Sequence, residues 1–154
     1  ILQRDLDVCR EMVRISDEIK RQVVENDPRE QGERALLNFG HTLGHAIEKL
    51  KNFELLHGQC VALGCIAAAE LSAMRGKLNA DQVAEIRERF ESFGFPVTVD
   101  KLEAAEIIRA TKNYKKMEAG KIKFILLETI GQACVDKSVS DEEMEQALSV
   151  ILSN

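Results

Sequence analysis

Glu33-Arg-Ala-Leu-Leu-Asn-Phe-Gly-His-Thr-Leu-Gly-His-Ala-Ile-Glu-Lys-Leu50 sets Leu36, Leu37 and Ile47 among polar residues at close to the helical period. The spacing predicts one helix over about 33–50. Gly40 and Gly44 fall inside it, each costing about 1 kcal/mol against alanine in a helix interior. Glycines four apart also leave a strip of helix without side chains, where another group can come close.

The segments on either side carry the same signature. Upstream, Leu2–Glu25 places Leu6, Val13, Ile15, Ile19, Val23 and Val24 among charges. Asn26-Asp27-Pro28 ends that run, because the proline ring disfavours helical geometry at Asp27. Downstream, His57-Gly58 opens a third helix through about Arg75, with Gly76 as its C-terminal cap. Its Ala62, Ala67, Ala68, Ala69 and Ala73 suit tight helix packing. Asn79-Ala-Asp81 caps a fourth helix carrying Val83, Ile86 and Phe90, stopped by Gly94 and Pro96. A fifth, short helix is expected around Lys101–Ala110, then a basic, polar loop over 111–121. Lys123-Phe-Ile-Leu-Leu-Glu128, Thr-Ile-Gly-Gln and Ala133-Cys-Val-Asp136 read as a β-hairpin. Ser140-Asp-Glu-Glu143 has capping-box spacing and starts a last helix running to the end. The fold class is therefore mostly α: a helical bundle with one small β-hairpin near the C-terminus.

At 154 residues and 17.3 kDa the chain suits a single domain with one sizeable core. Aromatic residues make up only 5% of it, so that core is aliphatic. Lys plus Arg number 21 against 26 Asp plus Glu, a net charge of -5. A nucleic-acid binder shows a basic balance or a basic stripe with interleaved aromatics, and neither is present. The apolar stretch from Cys60 to Ala69 is too short to span a bilayer, and no signal-peptide pattern opens the chain. Cys9, Cys60, Cys65 and Cys134 show no C-x-x-C spacing and read as free thiols in a cytoplasmic protein. A chain that begins at Ile1 and runs straight into helical pattern is expected to be a piece of something longer.

The chemistry gathers between positions 41 and 57, which hold all three histidines: His41, His45 and His57. Imidazoles four apart on a helix can share a metal, and a third ligand from a neighbouring element would complete a catalytic zinc site. The plainer reading of an isolated H-x-x-x-H is chance clustering or helix capping. A zinc protease is not supported, since Thr42 stands where H-E-x-x-H needs Glu. Arg34, Asn38, His41 and His45 step by four, three and four, which on one continuous helix lines a single face. Guanidinium, amide and imidazole there offer phosphate recognition, hydrogen bonding and either ligation or proton transfer; a solvated polar face is the bland alternative. Lys115-Lys116 offers a second cation in the loop before the hairpin.

These residues resemble a known family. Glu33 to Glu48, followed by Leu56-His-Gly-Gln-Cys-Val-Ala-Leu-Gly64, is similar to the 3-dehydroquinate synthases. Ile19–Asp27 and Phe124–Gly131 fit the same family. The resemblance covers essentially the whole chain, but only the family's C-terminal helical domain. It implies that residues 1–154 are a single domain of a longer two-domain enzyme whose N-terminal NAD-binding domain is not in this sequence. The implied reaction is that of a carbon–oxygen lyase of the shikimate pathway. With NAD and zinc, or another divalent metal such as cobalt, 3-deoxy-D-arabino-heptulosonate 7-phosphate becomes 3-dehydroquinate and phosphate.

Carried over by motif, His41 and His57 resemble the two metal-binding histidines, which revises the expectation that His41 and His45 share the ion. His45 and Glu30 resemble catalytic groups. Lys20, Arg34, Asn38 and Lys115 match substrate-contacting positions. A glutamate from the upstream segment would be the third metal ligand, and no glycine-rich NAD fingerprint occurs in this chain. The isolated chain is therefore expected to be inactive, and the full-length enzyme to be a homodimer. Two positions depart from the family: Tyr114 where Asp is usual before the two lysines, and Cys65 where Met is usual. Two alternatives stay open. One is another sugar-phosphate cyclase, such as a 2-deoxy-scyllo-inosose synthase. The other is a stand-alone helical interaction module associating through an exposed Gly40/Gly44 face.

Overall fold

The computed structural model of the chain describes residues 3, 5–30, 32–114 and 122–153. They form two compact units, Ile1–Leu37 and Asn38–Asn154. The first contains α1 (Leu6–Asn26), capped by Asp5, whose carboxylate accepts the Asp7 and Val8 backbone N–H groups. Its charged residues pair along the helix surface, as in Arg21 with Glu18 and Glu25. Beyond Pro28, the Asp27 carboxylate accepts the backbone N–H groups of Gly32 and Arg34 and so shapes the turn that follows.

The second unit is built around α3 (His57–Met74). Apolar residues surround this helix on every side, which requires burial on every side, and Cys60, Leu63, Ile66, Ala67, Ala69 and Leu71 are buried. Packed against it are α2 (His41–Leu50), α4 (Ala80–Ser92), α6 (Asp141–Ser149) and strand β2 (Phe124–Thr129). Helix α5 (Ala104–Tyr114) lies against α2 and α6. Among the described residues, the aliphatic core is joined by one fully buried aromatic, Phe124.

Strand β2 pairs antiparallel with β3 (Gln132–Asp136) in the register Phe124↔Asp136 to Leu127↔Ala133, with an irregularity before Thr129↔Gln132. Ser72, buried on α3, accepts the Leu127 backbone N–H at 2.9 Å and donates to the Ala68 carbonyl, fastening the hairpin to the central helix. Thr42 does the same from α2, donating to the Lys123 carbonyl at 3.0 Å. Helices α3 and α4 both end with a glycine at positive φ, Gly76 and Gly94. In each, the residue after the glycine donates five residues back, Lys77 to Ser72 and Phe95 to Phe90.

Several boundaries differ from the sequence expectation. The segment 33–50 is not one helix. Glu33–Asn38 is a 3-10 helix, Gly40 turns the chain at φ 75°, and α2 begins only at His41. Gly40 is thus a cap and not an interior residue. Helix α5 starts later and continues through Tyr114, so 111–114 are not loop; Thr111 is buried with its hydroxyl on the Ile107 carbonyl. The final helix stops at Ser149, after which β4 (Leu152–Ser153) pairs parallel with β1 (Val99–Asp100), a contact that two-residue strands do not announce in sequence. All four cysteines are free thiols.

Candidate metal and substrate site

Close approach of α2 and α3 positions the histidines. A Cβ on Gly64 would sit 2.0 Å from the Gly40 carbonyl oxygen, and one on Gly44 would sit 2.9 Å from the Cys60 carbonyl. A Cβ on Gly40 would meet the Cys65 Sγ at 2.4 Å. Three glycines therefore let the two backbones touch. The bare strip expected on α2 exists, but α3 of the same chain fills it. Gly40 and Gly44 are buried, which removes the exposed face on which a stand-alone interaction module would rest.

With the helices this close, His41 and His45 on the first turns of α2 stand beside His57, the first residue of α3. The ring centroids lie 5.4 Å (His41–His45), 5.5 Å (His41–His57) and 5.3 Å (His45–His57) apart, a nearly equilateral triangle. His41 Nδ1 lies 3.1 Å from the Phe39 carbonyl. The Nδ1 atoms of His45 and His57 each lie 3.2 Å from the same oxygen, Oε2 of Glu48. A carbonyl and a carboxylate can only accept, so Nδ1 carries the proton in all three rings and Nε2 is the unprotonated nitrogen of each neutral imidazole. Metal-binding histidines characteristically give their second nitrogen to such oxygens.

Hydrogen bonds from His57 and then His45 hold the Glu48 carboxyl below its ordinary range. One ligand atom each from His45, Glu48 and His57 falls within a 4.8 Å group, the candidate metal cluster among the described residues. The hold of Glu48 on two rings at once is the contact the sequence did not disclose. The spacing of three from His45 to Glu48 was the available signal, but the reach to His57 depends on the crossing of α2 with α3.

The 3-10 segment and the left-handed turn at Gly40 break the continuous helix on which Arg34, Asn38, His41 and His45 were expected to share a face. Asn38 is half-buried at the start of the second unit. Lys20, Glu30 and Arg34 belong to the first. Lys20 is exposed, Glu30 adopts a left-handed φ of 54°, and the Arg34 guanidinium donates to the Pro28 carbonyl at 3.0 Å. A non-glycine residue at positive φ stores strain of the kind found at functional positions. Lys115 lies outside the described residues.

A mostly helical domain with a histidine cluster at a two-helix crossing defines a fold class, and solved structures share that fold. Its fold matches 2-epi-5-epi-valiolone synthase from Streptomyces hygroscopicus, solved with NAD+ and Zn2+ bound, at a TM-score of 0.75 and 24% identity over 84% of this chain and 36% of that one. It also matches 2-deoxy-scyllo-inosose synthase complexed with carbaglucose-6-phosphate, NAD+ and Co2+, at a TM-score of 0.73 and 21% identity over 84% and 37%.

Sequence narrows the class. Residues 1–117 match the 3-dehydroquinate synthase C-terminal family. The 3-dehydroquinate synthase of Nitrosospira multiformis is 38% identical over 97% of this chain and 41% of its own length. That of Dichelobacter nodosus is 42% identical over 81% and 34%. The chain belongs to the 3-dehydroquinate synthase family, as its C-terminal domain. It spans about a third to two fifths of the length of these relatives.

Proposed function

We propose that this chain is the metal- and substrate-binding part of a 3-dehydroquinate synthase, which converts 3-deoxy-D-arabino-heptulosonate 7-phosphate to 3-dehydroquinate and phosphate. The observation that carries the reading is the histidine triangle, in which every Nδ1 lies within hydrogen-bond distance of an oxygen. That donor set fits a divalent ion. His41 and His57 would hold it together with a carboxylate supplied from outside residues 1–154. Such an ion, zinc or cobalt, would supply Lewis-acid polarisation of a substrate oxygen, and NAD, bound by the rest of the enzyme, would supply the hydride chemistry.

The chain's own side chains then do the positioning. Lys20, Arg34 and Lys115 offset the charge of the substrate phosphate, and Asn38 donates to and accepts from substrate oxygens. His45 hydrogen-bonds the departing phosphate, with Glu30 as its proton-transfer companion. Identities of 38–42% to synthases of this kind, against 21–24% to the other cyclases, favour dehydroquinate over the scyllo-inosose product. The resemblance also carries a homodimer for the whole enzyme. Free thiols fit a reducing, cytoplasmic setting, and no described helix is long and apolar enough to cross a membrane.

A calorimetric zinc titration of the 154-residue chain at about pH 7.5, where imidazole is mostly neutral, tests the reading. Weak binding lost in His41→Ala and in His57→Ala is the expected result. Tight one-to-one binding that survives either substitution would show that the ion is held elsewhere.

A further inference from the structure

We propose that Glu48 is a positioning residue that holds His45 and His57 through one carboxylate oxygen, fixing the tautomer and orientation of both rings at once; the inference rests on the proposed metal and substrate roles of those histidines. The resemblance assigned work to the imidazoles and none to this carboxylate.

Three observations carry it. Both Nδ1 atoms meet the same Oε2 at the same 3.2 Å, the arrangement of one acceptor shared by two N–H donors. The Glu48 side chain is 16% exposed, against 27% for His45 and 52% for His57, so the carboxylate lies deeper than the rings it touches. His41 has its Nδ1 on a backbone carbonyl. All three rings therefore present the same nitrogen, and at two of them Glu48 is the reason. A metal ligand and a group beside the leaving phosphate are in this way oriented by a single side chain. Displacing it disturbs both, whereas displacing either histidine leaves the other held.

Nitrogen-15 NMR of the histidine side chains of the metal-free chain, at about pH 8.5 where the rings are neutral, reads the tautomer at each ring. Nδ1–H at His45 and His57 is expected in the wild type. In Glu48→Ala both revert to the Nε2–H form that predominates in free histidine, while His41 is unchanged and serves as the internal control. Glu48→Gln, whose amide oxygen still accepts, keeps the wild-type pattern in at least one ring. Zinc affinity falls about 10- to 100-fold in Glu48→Ala, the usual loss when a ligand's hydrogen-bond partner is removed, and Glu48→Gln recovers part of it.

Nε2–H at His45 or His57 in the wild type overturns the proposal with no variant needed, as does an unchanged pattern in Glu48→Ala. Zinc that shifts the Nδ1 resonances of the wild type, with binding abolished equally by Ala and Gln, would make Glu48 a ligand and overturn it too. Failure of the wild type to bind zinc would count against the metal reading alone, and the tautomers would still decide the role of Glu48.

Discussion

At the scale of single residues, the glycines of the α2–α3 crossing do different work from those at helix ends. Gly64→Ala forces a Cβ to 2.0 Å from the Gly40 carbonyl, backbone that cannot rotate away. Unfolding in urea is expected to show a loss of about 3 kcal/mol, the upper part of the overpacking range. Gly76→Ala meets nothing within 4 Å and has only its φ of 70° to contend with, so about 1 kcal/mol is expected. Cys65 is buried against the same crossing, and burial pushes its thiol up to about 12. It should resist a thiol reagent at about pH 8, conditions under which exposed thiols react readily, while the half-buried Cys9 and Cys134 react first.

Glu48 makes stability depend on pH in a definite direction. Hydrogen bonds from His57 and then His45 hold its folded carboxyl below the ordinary glutamate range, so the unfolded chain takes up that proton first as the pH falls. The contribution is complete above the ordinary carboxylate range and disappears as the pH drops through the folded value. In metal-free buffer, wild type should lose more stability than Glu48→Gln between about pH 6 and pH 3.5, a window bracketing the ordinary glutamate value. Equal losses would contradict the hydrogen bonds to His57 and His45.

At the scale of elements, the caps and the hydroxyl fasteners separate. Ser140 accepts the Glu143 backbone N–H at 3.2 Å, and the Glu143 carboxylate accepts the Ser140 backbone N–H at 2.9 Å while pairing with Arg75 beyond α3. Ser140→Ala is expected to cost about 1 kcal/mol. Ser72 matters more, because its hydroxyl is the acceptor for the Leu127 N–H in the buried seam between α3 and the hairpin. Ser72→Ala leaves that donor unsatisfied, a loss of about 2 kcal/mol in thermal or urea unfolding. The caps were legible as Ser140-Asp-Glu-Glu143 and Asn79-Ala-Asp81 because they are local. The role of Ser72 was not, since its partner lies 55 positions away.

At the scale of the whole molecule, the histidine group sits within one compact unit, while Lys20, Glu30 and Arg34 sit in the other. The chain also matches only 41% of the length of a relative. We expect no turnover of the heptulosonate phosphate by the purified 154-residue chain, followed by release of inorganic phosphate; measurable release would mean that this segment holds a complete site.

The sequence by itself determined the helical class, the hairpin, the caps and the family, because each is written in local spacing or in a contiguous motif. Periodicity alone suggested one long helix over 33–50 and a single face from Arg34 to His45. Only the tertiary structure decided otherwise. Gly40 sits where Cys65 and Val61 of α3 leave no room for a side chain, so the helix restarts at His41 and the row is broken. The same crossing brings His57 to His41 and His45 and sets Glu48 between two of them. No pattern within one helix encodes that meeting, because it depends on how closely two backbones can approach.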